Sequence, residues 1–207
     1  MRRRQRLLLL LLLVPAGCRD WRTHVDAARA AREPEQIEVA DAPPIEFEAR
    51  HHRIRLAPRA TYRITGYAAD ISRKLLDQWD FVVPMDLALV WGPVADPAVL
   101  AHLKFHLSGR YLSYWADAAT PVGAVGRIPS HVANNHLIPA FEDVAESLSR
   151  IRVGDLVTLR GQLVDVEIHD PAGRVVFSSR TSLRRDDVGS GACENVWVES
   201  VEVERPD

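Results

Sequence analysis

The chain has 207 residues, of which 47% are hydrophobic and 26% are charged, which are ordinary values for a folded globular protein. Its 26 basic and 28 acidic residues give a net charge of −2, and four of the arginines lie within the first six residues. The remainder carries 22 basic and 28 acidic residues, a net charge of −6. Because nucleic-acid binding depends mainly on Lys and Arg at phosphates, this balance argues against a nucleic-acid partner.

The first 18 residues, MRRRQRLLLLLLLVPAGC, have the pattern of an export signal. Four arginines precede the apolar run 7–14, which is the order of a basic n-region and a short h-region. Eight helical residues reach about 12 Å, well short of the ~30 Å hydrocarbon core of a bilayer. The segment therefore predicts export and not an ordinary transmembrane helix.

The end of this segment, Ala16-Gly17-Cys18, resembles the processing site of bacterial lipoproteins. Small residues there give the peptidase access to the backbone, and the resemblance implies that the Cys18 thiol takes a diacylglyceryl group, with palmitate-type chains. Pro15 departs from the leucine usual at that place. The alternative is an ordinary cleaved signal with an incidental cysteine. We expect an extracytoplasmic protein anchored by acylated Cys18 in membrane lipid, at the periplasmic face of the inner or outer membrane.

Composition divides the chain into three parts. Residues 1–18 are the signal with its lipidated cysteine. Residues 19–44 form a juxtamembrane helix and a tether, because 20–33 are rich in Ala and Arg whereas 34–44 hold three prolines and several acids. Residues 45–207 form a single globular domain.

Alternation of apolar and charged residues predicts the first strands of that domain, at 45–50, 54–56 and 62–67. A short helical turn follows at 71–78, and DLALVW at 86–91 predicts a buried strand. Asp96-Pro97 opens a helix that runs to about residue 104, and 105–115 is extended.

In the second half, 130–139 is predicted as a loop because it is dense in polar side chains, and 141–149 as a helix. Strands follow at 156–168, with a bulge or bend at Gly161, and at 174–179 and 195–203. Residues 169–173 form the hairpin loop between the first two. This succession predicts an α+β fold around an antiparallel β-rich sheet, able to form a small barrel, with two or three short helices.

Four segments together resemble an uncharacterised group of exported bacterial proteins. They are DLALVWG, HVANNHLIP, GDLVTLRGQLV and SSRTSLRRDDVGSGACE, and the resemblance spans residues 62–203. It implies one cooperative domain and does not imply a reaction. The third segment also resembles a strand of oligonucleotide/oligosaccharide-binding (OB) barrels, a pattern that many bent strands share.

A thiol site is the first candidate for chemistry. Cys193 lies in a glycine-rich loop, with His131 and His136 upstream and Arg184 nearby in sequence. A nucleophilic thiol needs a base or cation that lowers its pKa, and an arginine could stabilise an oxyanion. The order His then Cys is similar to that of cell-wall transpeptidases, but their specific motifs are missing, and Glu194 would raise the thiol pKa. The alternative is an inert, buried cysteine.

Metal binding is the second candidate, from His131, His136, the adjacent pair His51 and His52, and Asp186 with Asp187. None of these groups has the short paired spacing of zinc ligands. We therefore expect neither a metal nor another cofactor.

Recognition is the third candidate. Asn134, Asn135 and His136 share one predicted loop, and Arg180 and Arg184 lie near another. Amide, imidazole and guanidinium groups suit a polar or anionic ligand; the alternative is that they satisfy backbone groups. The sequence thus predicts a binding or envelope-structural module with an envelope protein or cell-wall ligand as partner. The alternative function is a thiol-dependent cell-wall acyl-transferase or hydrolase that uses Cys193 with His131 or His136.

Overall fold

The structure, a computed structural model, describes residues 20–73, 78–189 and 191–206. The predicted signal with Cys18, and the middle of the predicted helical turn at 71–78, lie outside these ranges.

The described part contains ten strands and three short α-helices. The strands are β1 (Glu35–Glu38), β2 (Ile45–Ala49), β3 (His52–Arg73), β4 (Met85–Val90), β5 (Leu103–Ser108), β6 (Tyr111–Ala116), β7 (Val132–Pro139), β8 (Leu156–His169), β9 (Val175–Ser179) and β10 (Glu194–Glu204). The α-helices are α1 (Pro97–Leu100), α2 (Val122–Val125) and α3 (Glu142–Ser149). Short 3₁₀ turns occur at Trp21–Thr23, Ala27–Ala30, Gly92–Ala95 and Ile128–His131.

Eight of the strands form one sheet in the order β1-β3-β4-β7-β10-β8-β9, with β2 also on β3, while β5 and β6 form a separate hairpin. Since β8 pairs again with β3, five strands follow one another in a partial ring that is not a closed barrel. All the pairings are antiparallel apart from β7 with β10. The predicted α+β fold with an antiparallel sheet and short helices is confirmed.

The ring depends on the length of β3, which has 22 residues. One edge of β3 pairs with β8, and the other pairs in turn with β2, β1 and β4. Register shifts occur after Pro58 and after Ala68, and such irregularities bend a strand and increase its twist. The strand therefore turns from one side of the ring to the other. In chain order the five strands of this circuit are β3, β4, β7, β8 and β10, and α3 lies between β7 and β8. The arrangement resembles the partly open OB barrel.

Two groups of buried apolar side chains lie on the sheet. The larger includes Tyr62, Ile64, Leu87, Leu137 and Leu159 inside the ring. The smaller lies at the other end of β8 and includes Ile54, Ile138 and Val166, with Trp79 and Trp197 packed at its edge.

Gly161 lies where the backbones of β8 and β10 come close together. A Cβ atom at Gly161 would lie 1.9 Å from the carbonyl oxygen of Trp197. The bulge is in the partner strand, where the β10 register shifts between Val198 and Ser200. The bulge predicted at Gly161 in the β8 sequence thus lies in β10 opposite this glycine, where the absence of a Cβ lets the two backbones come close.

Most of the region predicted as a loop at 130–139 is instead β7 (Val132–Pro139), a central strand with six consecutive buried residues. A run dense in polar side chains is typical of a loop, but here these side chains have partners inside the protein. The helix expected to reach residue 104 ends at Leu100, because β5 begins at Leu103 and pairs with β6.

The segment 19–44 also differs from the expected helix and tether. Residues 21–30 form two 3₁₀ turns, and β1 pairs with β3. The Tyr67 hydroxyl donates to the Asp26 carbonyl (3.0 Å) and accepts from the Asp26 N–H (2.8 Å). Glu33 accepts from the Trp91 indole N–H at 3.0 Å. The segment thus packs on the domain. Among the described residues, no helix is both long and apolar enough to cross a membrane.

We predict that Gly161→Ala lowers the free energy of unfolding by about 2 kcal/mol or more, since overpacking typically costs 1–3 kcal/mol and the new methyl would collide with backbone. Urea denaturation measures the change. Gly123→Ala is the matched control, because a Cβ there meets nothing within 4 Å. Equal stability of the two variants would show that the close approach is not present.

Candidate functional site

The floor of the candidate site is the parallel pair β7–β10. Asn135 pairs with Glu194 in that register, so Asn134 lies beside Cys193. The Asn134 Nδ2 atom is 3.4 Å from Cys193 Sγ and 2.9 Å from the carbonyl oxygen of Arg110. Asn134 is 4% exposed, and its Oδ1 atom has no hydrogen-bond partner in the described part of the chain. The pair therefore offers one buried acceptor.

The β5–β6 hairpin forms one wall of the candidate site. Arg110, which lies in the turn of this hairpin, anchors the hairpin to the sheet. The Arg110 guanidinium lies 3.5 Å from Asp86 Oδ1 and donates to the Val83 carbonyl at 3.4 Å. Asp86 is fully buried on β4, and the same Oδ1 atom is 2.8 Å from His136 Nδ1. This charged cluster holds the hairpin over the polar face of β7.

A cleft of about 220 Å³ opens between the hairpin, the start of β7 and the loop before β10. We call it the hairpin cleft; its lining residues are Tyr111, Leu112, Tyr114, Pro129, Val132, Asn134, Asp187, Val188, Gly189, Ala192 and Cys193. The lining thus combines two tyrosines with a carboxylate, a carboxamide and a thiol. This is the chemistry of a site for a small polar group.

The Cys193 thiol is half-buried in the hairpin cleft. Burial raises its pKa to about 11, the bond from Asn134 lowers it only partly, and the negative charge of Glu194 raises it further. The thiol is therefore protonated at neutral pH, the opposite of what a cysteine nucleophile needs.

A second buried charged group lies behind the floor, inside the ring. Arg185 Nη2 is 2.8 Å from Glu194 Oε1, at an orientation that gives an ion pair without a directed hydrogen bond. The Arg185 guanidinium also lies over the Tyr62 ring, 5.7 Å from its centroid. Burial raises the pKa of Glu194 to about 7, although the charge of Arg185 opposes the shift. Glu194 is thus a buried carboxyl that titrates near neutrality.

The two histidines predicted for thiol chemistry have other partners. His131 Nε2 is 3.0 Å from Glu33 Oε1, and its Nδ1 is 2.8 Å from the Arg127 carbonyl oxygen. His136 is paired with Asp86. Of the proposed set, Cys193 lines the hairpin cleft, whereas Arg184 is exposed and paired with Asp186 at 3.1 Å.

The recognition set is likewise divided, because successive side chains of a strand point to opposite faces. Asn134 and His136 share one face of β7. Asn135 points into the ring, where it accepts from Tyr62 at 3.4 Å and donates to the Leu87 carbonyl at 3.2 Å. Arg180 is exposed beyond the end of β9. One member, Asn134, lines the cleft.

The metal candidates are separated in the same way. His51 and His52 lie at the turn between β2 and β3, whereas His131 lies just before β7 and His136 lies in the middle of that strand. Within the described ranges, no three His, Cys, Asp or Glu side chains are grouped as metal ligands would be.

Four residues of the site were missed from sequence, namely Asp86, Arg110, Tyr111 and Tyr114, while Asp187 was singled out only as a metal candidate and lines the cleft instead. Asp86 carried a usable signal, since it is an acid at the start of a run that is otherwise apolar and buried. A buried acid demands a partner, which pointed to a basic residue over β4. The two tyrosines carried no such signal, because aromatics in a predicted strand are usually part of a core.

No family model, curated protein or solved structure matches this chain.

We predict slow alkylation of Cys193 in the folded protein. A pKa of about 11 in place of 9.0 lowers the thiolate fraction at pH 7 by roughly a hundredfold, and burial slows the reaction further. Iodoacetamide labelling of the full chain with Cys18→Ser, with and without urea, measures the ratio. Folded protein that reacts as fast as unfolded protein would contradict the assignment.

We also predict that stability falls as pH rises from about 4.5 to about 7. The pKa of Glu194 is raised in the folded state, so its protonated form stabilises the fold. This contribution to the free energy of unfolding is fully present below the pKa of the unfolded chain and is lost as pH rises through the folded-state pKa. The effect is on the order of a few kcal/mol. Denaturation across this range measures it. Glu194→Gln should remove the slope, while the exposed Glu202→Gln on the same strand should keep it. An unchanged slope in Glu194→Gln would refute the prediction.

Proposed function

We propose that the chain is a membrane-anchored, extracytoplasmic binding module whose hairpin cleft takes a sugar ring or amino group of a cell-wall ligand. The observation that carries this proposal is that Asn134, whose buried Oδ1 has no hydrogen-bond partner in the described part of the chain, lines the cleft together with two tyrosines and Asp187. The volume of about 220 Å³ is below the roughly 300–1,000 Å³ of drug-sized pockets. It suits one group of a larger, extended ligand.

The chemistry of the lining favours a donor-rich ligand. Asp187 and Asn134 Oδ1 are acceptors, so they match hydroxyl, amide and ammonium groups. Aromatic side chains give the apolar face on which sugars and peptides pack. A phosphate or other anion would meet the Asp187 carboxylate, which disfavours a nucleic-acid ligand.

The fold supports the same location by analogy. OB barrels bind oligonucleotides and oligosaccharides on the face of their second and third strands and at the loop between the fourth and fifth. The corresponding elements here are β4, β7 and the connection from β8 to β10, which includes β9, and described residues of all but β4 line the hairpin cleft. This likeness is one of fold alone, and the function is argued from the cleft.

Anchoring by acylated Cys18 is the other half of the proposal. The basic and apolar leader and its Ala-Gly-Cys end support it. Two or three acyl chains are needed for stable attachment, because one chain binds only marginally. The anchor would hold the cleft at a fixed distance from the envelope.

We predict that muropeptides released from peptidoglycan bind the full chain and that Asp187→Asn weakens them about tenfold, the size of one lost charge-assisted hydrogen bond. Calorimetry measures the affinity. Asp186→Asn is the matched control, since Asp186 is the adjacent acid but lies outside the cleft. Bound muropeptide should also slow alkylation of Cys193. Absence of binding, or equal loss in both variants, would contradict the proposal.

Replacing the anchor gives a separate prediction. Cys18→Ser should abolish palmitate incorporation and move the protein from the membrane fraction to the soluble extracytoplasmic fraction. Mass spectrometry of the amino-terminal peptide and cell fractionation measure both. An intact, unacylated amino terminus in the cytosol of the native host would reject the anchoring.

The alternative is a thiol-dependent cell-wall acyl-transferase or hydrolase, and one observation favours it: Cys193 lines the cleft. The raised thiol pKa and the pairing of His136 with Asp86 weigh against it. Rapid stoichiometric alkylation of the folded protein at pH 7 would favour this second proposal.

A further inference from the structure

A second surface of the molecule concentrates arginine side chains although the chain as a whole is slightly acidic. Two adjoining concave surfaces share Arg152, Val153 and Arg205. The first also contains Arg73 and Arg150, and the second also contains Trp21 and His24. We call the combined surface the arginine groove.

The arginines of this groove are only partly neutralised by neighbouring carboxylates. Arg73 donates to the carbonyls of Ser149 (3.0 Å) and Ile151 (2.8 Å), which are neutral acceptors. Arg205 lies 3.6 Å from the buried Asp155, and Arg150 pairs with Glu146. Arg152 is exposed and has no ion pair within the described ranges. Four cations thus face two carboxylates.

The groove lies where the described chain begins. Trp21 packs on the turn at Gly154, whose Cβ position would be 2.7 Å from the Trp21 Cβ. Glycine is required there twice over, since its φ is +93° and the ring covers it. One residue, Arg19, separates Asp20 from Cys18, and the two steps along an extended chain reach about 7 Å. An acyl chain on Cys18 would therefore enter the bilayer close to Trp21.

We infer that the arginine groove is a docking surface for the anionic phospholipid headgroups of the membrane that holds the acylated Cys18, an inference that rests on the proposed anchoring. Guanidinium groups bind phosphate oxygens in bidentate fashion, and clustered basic residues beside a lipid anchor add a second membrane signal. Trp21 is an amphipathic ring of the kind found at headgroup level, and Val153, 43% exposed, adds an apolar contact. Docking would fix the orientation of the domain on the membrane.

Hydrogen exchange of the full chain on vesicles tests the inference. On vesicles with anionic phosphatidylglycerol, segments 20–24 and 147–155 should exchange at least fivefold more slowly than on neutral phosphatidylcholine vesicles, the factor of about five being what one arginine near an anionic surface gives. The protection should disappear at about 0.5 M salt, which screens exposed charges.

Two double variants separate the groove from the basic leader. Arg150→Gln with Arg152→Gln should remove the protection. Arg53→Gln with Arg174→Gln should keep the protection. This control also removes one arginine that has no ion pair with any described residue and one with an i,i+4 partner, at the opposite end of β8. Equal exchange on both vesicle types, or equal loss in both double variants, would overturn the docking surface. Absence of a diacylglyceryl group on Cys18 in the native protein would instead overturn the anchoring.

Discussion

The parallel pairing of β7 with β10 is the constraint on which the rest of the structure depends. It is the shortest strand pairing of the five-stranded circuit, with five residue pairs. The partial ring exists only because β10 lies between β7 and β8. The same pairing sets Asn134 beside Cys193 and sends Asn135 and Glu194 into the ring. The architecture and the cleft therefore share one cause.

Burying polar residues on this pair of strands has a cost in stability. A parallel pair is slightly less stable per residue than an antiparallel one, and here it also buries an acid whose pKa is raised to about 7. Arg185 compensates the charge of Glu194, and removing one partner of such a pair leaves an uncompensated charge that costs more than replacing both. Asp86 has the corresponding role on the outer face, with Arg110 and His136. The protein thus uses two buried carboxylates, one on each side of the same sheet, to position a hairpin and a loop around the cleft.

The strands could be predicted from sequence wherever one face was apolar. β2, β4, β8 and β10 followed from period-two alternation or from an unbroken apolar run, and α3 from its charges. β7 could not, because a strand whose buried side chains are polar has the composition of a loop. Its partners are distant in sequence: Asn134 meets Arg110 in a hairpin turn, and His136 meets Asp86 50 residues away. The packing of residues 20–38 was missed for a similar reason, since proline and acid content suggested a tether while Tyr67 and Trp91 supply hydrogen bonds that hold the segment. Asn134 and Cys193 were both singled out from sequence, but only the register of β7 with β10 shows that they belong to one site.

The most direct test of that register is an engineered disulfide in the full chain with Cys18→Ser. With Asn134→Cys the second thiol would stand next to Cys193, and the two should oxidise to an intramolecular disulfide in a glutathione buffer, with loss of both free thiols and retained solubility. Asn135→Cys points into the ring and should leave both thiols free. A disulfide in the second variant, or none in the first, would contradict the pairing and with it the cleft.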